Sequence, residues 1–572
     1  MDLRYILAHF TPLLTLAAAT SHASAHFNTL TPTPAARAAA APLPDDAADA
    51  GADLSLWSAR HPLRETRAVW LATIGGIDWP RTKATDASSR LHQQEELKAM
   101  LDAYERANIN TVILQTRVRA SLIYPSAIEP WEMSLTGHAG QDPGYDPLAF
   151  CIEECHKRGM ELHAWIVCIP VGTQQRQAAY GKASIVSRHP RLVKKAGAEL
   201  FMQPGMPETA EHIASICREI TERYDIDGIS LDYIRYPEPT YRFSDDALCP
   251  PERRADRAQW RRDNITRIVK RVHDVVKPLK PWVKLSSSPI GKYADTRLYS
   301  AGGWNCRDAV WQDPKLWLER GYQDMLFPMM YFLGDNFYPF LCDWQQTSSG
   351  HPVVPGLGIY FLDPREGRWS LNDVRAEMHA ARSCGIGGVA FYRSDFLTRN
   401  VRGLLDCVED EFFPYPALTA RMTWQGDTLP PAAPRWVAYR DGVVSWGESG
   451  DASGADSGAS GASGAGAASG ASEASGASGA SGSAYVLYNL YGSASYPVDT
   501  ADPANLLKAR LRGTSCELDA RAMRMRFYAV TACDRMGNES EAAQQERPSH
   551  EAARPKAAWL INRSLAKKKR KR

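Results

Sequence analysis

The chain has 572 residues, 44% of them hydrophobic and 9% aromatic, which is enough for a large core and two or three domains. A formal net charge of +2 gives the body no global bias towards nucleic acid or an acidic surface, and no nucleic-acid partner is expected. The one strong charge run, Lys567-Lys-Lys-Arg-Lys-Arg572, reads as a disordered solvated tail at 546–572 or as a contact for an anionic cell envelope.

In chain order, Arg4, the apolar stretch Tyr5 to Ala19 and the small-residue site Ala23-Ser-Ala25 predict a signal peptide over 1–25, and with it a periplasmic or secreted protein. The apolar stretch is too short for a membrane span, and no later one is longer. Residues 26–63, rich in Ala, Pro, Thr and Asp without periodicity, predict a disordered leader.

From 64 to 415, β-branched and aromatic runs alternate with amphipathic stretches, the pattern of repeated βα units. Eight strands are expected: Arg67–Ile74, Thr111–Arg117, Glu161–Ile169, Gly228–Ile234, Val283–Ser288, Met325–Tyr331, Val353–Tyr360 and Gly388–Arg393. Helices are expected at Gln94–Arg106, Pro147–Arg158, Pro207–Arg223, Trp260–Val276, Pro314–Arg320 and Leu371–Ser383, with a weaker one before the seventh strand. Eight such units fit a (β/α)8 TIM barrel better than an open doubly wound sheet. Ile74-Gly-Gly-Ile-Asp-Trp-Pro80 is also no Gly-rich phosphate loop.

Beyond 425 the pattern is all-β. Arg435–Trp446 and Tyr485–Tyr491 read as paired strands, and Phe527–Ser540 resembles the penultimate strand and turn of a fibronectin type III module, giving a small sandwich over 426–545. The Gly/Ala/Ser repeat at 448–483 is expected to be a flexible loop inside that module. Of the eleven cysteines, Cys151, Cys155, Cys168, Cys217 and Cys384 fall inside predicted strands or helices and read as buried thiols, while Cys516 and Cys533 either pair or stay free. Cys151 and Cys155 lack a second ligand pair, so neither a metal nor a cofactor is expected.

A barrel works from the C-terminal ends of its strands. There the chain places Asp78 and Trp79, Arg117, His163 and Trp165, Asp232, Tyr233 and Arg235, Tyr331, Tyr360, Tyr392 and Asp395. Aromatic rings suit the apolar faces of sugars and the polar groups suit their hydroxyls, so a polysaccharide is the expected partner. Asp232 is the most specific signal. Alternation puts Gly228, Ser230 and Asp232 on the face opposite Ile229 and Leu231, which is the barrel interior, where a carboxylate is costly unless it has a task.

Several segments carry a family resemblance: Arg67-Ala-Val-Trp-Leu71, Asn110-Thr-Val-Ile-Leu-Gln-Thr-Arg117, Tyr124-Pro-Ser126, Glu129-Pro-Trp131, Leu135-Thr-Gly137, Tyr145-Asp-Pro-Leu148, Leu162-His-Ala-Trp165, Asp227-Gly-Ile-Ser-Leu-Asp-Tyr-Ile-Arg-Tyr-Pro237 and Trp260-Arg-Arg-Asp-Asn-Ile265. In this order, from about residue 64 to 400, they resemble the glycosyl-hydrolase-like 10 family. The resemblance implies a barrel hydrolase of the bacterial envelope or exterior, in a family whose members include one that digests peptidoglycan glycan strands stripped of stem peptides. Relatives often follow the His-Ala-Trp strand with Asn-Pro, where this chain reads Ile166-Val-Cys-Ile-Pro170, a difference at the third-strand subsite.

Glycoside hydrolysis usually takes two carboxylates. Asp232 is the first. Glu129 or Glu132, Asp78, Glu238 and Asp395 are the candidates for the second, with Glu129 and Asp395 put forward as catalytic. Alternatively the 2-acetamido group of the substrate replaces the second carboxylate, with Tyr331 orienting it. A non-catalytic glycan-binding protein is the competing reading. Metal-assisted deacetylation ranks lowest, because His163 has no partners at ligand spacing.

Overall fold

A computed structural model describes residues 61–449 and 486–546. The signal peptide, the leader up to residue 60, the Gly/Ala/Ser loop from 450 and the basic tail from 547 lie outside them.

The eight expected strands form one curled parallel sheet: β1 (Thr66–Leu71), β2 (Thr111–Arg117), β3 (Glu161–Val167), β4 (Gly228–Asp232), β5 (Lys284–Ser287), β6 (Met325–Leu326), β7 (Gly356–Leu357) and β8 (Gly388–Phe391). The order across it is β7-β8-β1-β2-β3-β4-β5-β6. Its edges are joined by isolated bridges, Leu326 to Val353 and Met329 to Gly356. β6 and β7 are much shorter than their sequence suggests. Pro328, Pro352 and Pro355 cannot donate to the ladder, so a continuous pairing is reduced to single bridges.

Helices cover the outer face: α1 (Ala87–Arg106), α2 (Pro147–Lys157), α3 (Pro207–Arg223), α4 (Arg257–Val276), α5 (Pro314–Glu319), α6 (Tyr338–Gln346) and α7 (Leu371–Ser383). α1 starts seven residues earlier than its apolar pattern indicates, because Asp86 and Ser89 form a capping box. Between helices and sheet lies the main apolar core, including Leu114, Ile166, Ile229, Leu231 and Leu285. A second core fills the sheet interior with Ala68, Trp70, Ile113, Trp165, Met325, Phe327 and Ala390. Two close approaches fix its packing. A Cβ on Gly228 would sit 2.7 Å from the His163 ring, and one on Gly356 would sit 2.9 Å from Trp70.

After residue 425 come β9 (Val437–Arg440), β10 (Val443–Trp446), β11 (Leu487–Ser493), β12 (Leu506–Leu511), β13 (Ser515–Glu517), β14 (Phe527–Cys533) and β15 (Ala543–Gln544). They make two antiparallel sheets, β9-β10-β13 and β12-β11-β14-β15, around Val444, Trp446, Leu490, Tyr528 and Val530. Arg435–Trp446 is therefore not one strand paired with Tyr485–Tyr491. It is a hairpin that turns at Asp441 (φ 48°) and Gly442 (φ 87°), the left-handed pair that a two-residue turn demands. Cys516 and Cys533 lie in different sheets as free thiols.

This module closes the end of the curled sheet where the strands begin. Arg510 donates to Glu161 (3.2 Å) and Asp227 (2.6 Å), and Arg535 donates to Asp225 (2.6 Å) and Asp227 (3.0 Å). Lys284 adds its ammonium to Glu161 at 2.6 Å, and His156 reaches Asp227 at 2.7 Å. Burial would raise the pKa of both carboxylates, but these cations more than offset it and hold both below the ordinary carboxylate range. Removing one partner of such a network leaves a buried charge exposed to its own desolvation cost. Arg510→Met is expected to cost about 3 kcal/mol, read as a lower midpoint of thermal unfolding; an unchanged midpoint would show that the module is not needed to keep these charges inside.

Candidate active site

Asp232 ends β4 on the inner face, as the alternation requires, and is 5% exposed. One carboxylate oxygen accepts the Trp165 indole N–H at 2.9 Å, and the other accepts the backbone N–H of Tyr233 at 2.7 Å. Trp165 reaches it because β3 and β4 run in register, with Trp165 beside Ser230 and Val167 beside Asp232. Burial lifts the Asp232 pKa above its ordinary value against the pull of the Arg235 charge and the two hydrogen bonds. A carboxyl so placed keeps its proton to higher pH than a solvated one, which suits a group that donates it.

Tyr233 follows in the left-handed region (φ 48°), so the chain turns sharply away from the strand. Its ring carries the Arg235 guanidinium at 4.1 Å, and burial pushes its phenol up to about 12. Arg235 donates to Glu238 at 2.9 Å, while its Nε and Nη1 are buried without a partner. Tyr331 and Tyr392 stack at 5.2 Å with planes 27° apart, and Tyr360 stands edge-on to both at 5.9 Å. Asp232 lies in the electrostatic surroundings of Tyr233, Tyr331 and Tyr392. Each of these four tyrosines is half-buried, and none has a hydrogen-bond partner for its hydroxyl among the described residues. The rim thus offers one protonatable carboxyl, aromatic faces for a sugar ring and uncommitted phenol hydroxyls.

Six expected site residues belong elsewhere. Trp79 is fully buried and donates to the Gln93 carbonyl, so it cannot stack on a substrate. His163 faces the interior but low in it, fenced by Gly228 and bonded to Glu161 near the strand starts. Arg117 is also fully buried. A register shift between Gln115 and Arg117 departs from strict alternation, and the guanidinium forks onto Glu129 at 2.6 and 2.9 Å. Glu129 in turn accepts from His212 of α3 at 2.8 Å. Its burial favours the neutral form, yet Arg117 and His212 prevail and hold its pKa down to about 2, which is wrong for a proton donor.

Asp78 accepts the amides of Ala72 (2.8 Å) and Asp395 (3.0 Å) and pairs with Arg393, tying the loop after β1 to the end of β8. Its side chain is wholly buried and cannot meet a substrate. Asp395 is likewise engaged, by Arg81 and by Arg399 at 3.0 Å. Glu132, buried, pairs with Arg176 and Ser121. Glu238 differs from these carboxylates: its side chain is 20% exposed, and its charge acts on Asp232. Sequence reading missed His212 and Arg393, whose partners lie 83 and 315 positions away and leave no local signal. Among the described residues no group of three His, Cys, Asp or Glu side chains is placed to hold a metal ion.

The family model for glycosyl hydrolase-like 10 matches residues 65–348. The glycosyl hydrolase YngK of Bacillus subtilis strain 168 is 32% identical over 390 residues, covering 64% of this chain and 75% of its own. The chain belongs to the glycosyl hydrolase-like 10 family. It is a glycan-acting hydrolase. The glycosyl hydrolase DigH of Escherichia coli K12 is 32% identical over 287 residues, 46% of this chain, and the match spans 65% of that relative's length. Among solved structures, the PgaB glycoside hydrolase domain of Bordetella bronchiseptica aligns over 62% of this chain and all of its own at 14% identity and a TM-score of 0.44. The β-amylase catalytic domain of Paenibacillus polymyxa aligns over 62% and 99% at 10% identity and a TM-score of 0.41.

The Arg117–Glu129–His212 cluster yields a stability prediction. A carboxylate whose folded pKa is depressed contributes stability above its unfolded pKa and loses it as pH falls towards the folded value. Glu129→Gln is expected to lose about 3 kcal/mol near neutrality. The deficit should shrink as pH is lowered from about 4.5 towards 2, measured by denaturant unfolding across pH.

Proposed function

We propose that this protein is an exported glycoside hydrolase that cleaves a cell-envelope polysaccharide, peptidoglycan glycan strands first among them, with Asp232 as the acid/base. The curled sheet is read as a (β/α)8 barrel, the C-terminal sheets as a fibronectin type III-like module and the basic tail as a contact for the anionic envelope. Export rests on the signal pattern at 1–25. The observation that carries the reading is a buried carboxyl with a raised pKa at the strand ends, beside aromatic faces and free phenol hydroxyls.

In this reading Asp232 gives its proton to the glycosidic oxygen as the C1–O bond breaks. The carbonyl oxygen of the substrate's 2-acetamido group closes onto C1, and Tyr331 donates a hydrogen bond that orients it. Asp232, now a carboxylate, then takes a proton from the water that reopens the ring. Substrate assistance is favoured because Glu129, Asp78, Asp395 and Glu132 are all held by cations or backbone amides. Glu238 supports a two-carboxylate variant, since it is partly exposed and acts on Asp232.

Asp232→Asn is expected to lower kcat by about 10²- to 10⁴-fold with an unchanged unfolding midpoint. The assay uses denuded peptidoglycan strands beside amylose, xylan and poly-N-acetylglucosamine, with products read by mass spectrometry. Full activity in that variant would remove Asp232 from the mechanism. Under substrate assistance, N-deacetylated strands resist cleavage and Glu238→Gln stays active; the two-carboxylate variant reverses both outcomes. Because Arg235 opposes protonation of Asp232, Arg235→Gln is expected to move the basic limb of the kcat/KM profile to higher pH.

A further inference from the structure

The seam between β6 and β7 is the thinnest part of the curled sheet. Each strand has two residues, and the edges meet through the bridges Leu326–Val353 and Met329–Gly356. Two helices pack over this seam, α6 after β6 and α7 after β7. Leu341 and Trp344 of α6 and Val374 and Met378 of α7 are buried in the common core. Cys342 lies in the middle of α6, and Cys384 caps the end of α7, its amide bonded to the Ala380 carbonyl. The two sulfurs are 3.8 Å apart. The next residue, Gly385, lies against Gln345 of α6, so the helices meet at this point.

We propose that Cys342 and Cys384 form a disulfide when the protein meets a disulfide oxidant, stapling α6 to α7 across the β6–β7 seam. A sulfur separation of 3.8 Å must shrink by roughly 2 Å to reach bonding distance. Cys342 is exposed at the surface of its helix, where no packing holds its side chain against rotation towards Cys384. No other cysteine pair is placed this way. Cys151 and Cys155, 3.9 Å apart, are both buried one turn apart in a single helix, out of reach of an oxidant. Cys168 and Cys217 act on each other electrostatically, but both are fully buried and no hydrogen bond joins their sulfurs.

Exposure sets the order of events. The Cys342 thiolate attacks a small-molecule disulfide such as oxidised glutathione, giving a mixed disulfide and releasing one glutathione thiolate. The half-buried Cys384, whose thiol is raised to about 11 by burial and by its neighbour, then displaces the second glutathione and completes the bond. Both cysteine protons end on the two glutathione thiols, and the oxidant takes up two electrons. The closed loop contains β7 and Tyr360, so the bond would restrain the least hydrogen-bonded stretch of the sheet together with one wall of the cleft.

The test treats the full-length protein with oxidised glutathione, blocks free thiols with an alkylating agent and maps peptides without reduction. Expected is a cross-linked pair carrying Cys342 and Cys384, lighter than the two free peptides by two hydrogens and separated by dithiothreitol. The unfolding midpoint should rise on oxidation in the parent and not in Cys342→Ser or Cys384→Ser. Recovery of Cys342 and Cys384 as alkylated peptides, a persistent glutathione adduct on Cys342, or linkage of Cys342 to any other cysteine overturns the proposal.

Discussion

Two carboxylates stand where β3 and β4 begin, and the arrangement of the cleft depends on their staying charged inside the protein. Glu161 opens β3 and Asp227 precedes β4; the same two strands carry Trp165 and Asp232 towards the other end. An Asp227 oxygen also accepts the backbone N–H of Leu162 at 2.9 Å, which clamps β4 against β3 in one register. A slip of one residue would turn Asp232 outwards and part it from the indole N–H. Lys284, Arg510, Arg535 and His156 make the clamp affordable by neutralising charges that would otherwise be expelled or protonated.

This gives the C-terminal module a role that its sequence position does not suggest. A small β module after a hydrolase is easily pictured as a tethered attachment. Here Arg510 and Arg535 come from its strand β12 and the turn after β14, yet they supply counter-charges to the start of the sheet. The described residues from His61 onward accordingly form one compact unit. Charge is thereby divided along the strands, with a dense neutralised network at their starts and Asp232, Arg235 and Glu238 beside neutral aromatics at their ends.

What the sequence made legible follows from range. Period-two alternation placed Asp232 and Ser230 inwards and Ile229 and Leu231 outwards, as the structure has them, because that periodicity is local. α3 and α7 match their expected bounds because proline or a serine cap marks the start and the apolar face marks the rest. Alternation failed where one residue broke it. The register shift before Arg117 redirected a side chain that reads as cleft-facing, and the Asp441-Gly442 turn split an apparent strand into a hairpin. Height along the strand was not legible either. His163 and Trp165 share a face, but only the packing of Gly228 and the floor carboxylates puts one in the core and the other at Asp232. The ion pairs that withdraw Glu129 and Asp78 from the cleft join positions 83 and 315 apart, beyond any local pattern.

The withdrawn carboxylates have a chemical consequence. A buried acid holds its proton only if no strong cation dominates it and no strong donors saturate it. Glu129 meets a guanidinium and an imidazole and is driven to the charged form, whereas Asp232 receives one indole N–H and one backbone N–H, and the cation that acts on it, Arg235, is bonded to Glu238. Arg235 is thereby divided between two carboxylates, with its ring-stacked face on Tyr233. The same burial that isolates Asp232 also raises the phenols of Tyr331 and Tyr392, keeping them neutral donors across the range in which Asp232 titrates. A proton held on Asp232 beside neutral phenol donors and aromatic faces, with the Arg235–Glu238 pair as the fixed charges acting on it, is a coherent setting for acid catalysis, because the donors that would meet the developing charge are already in place before it forms.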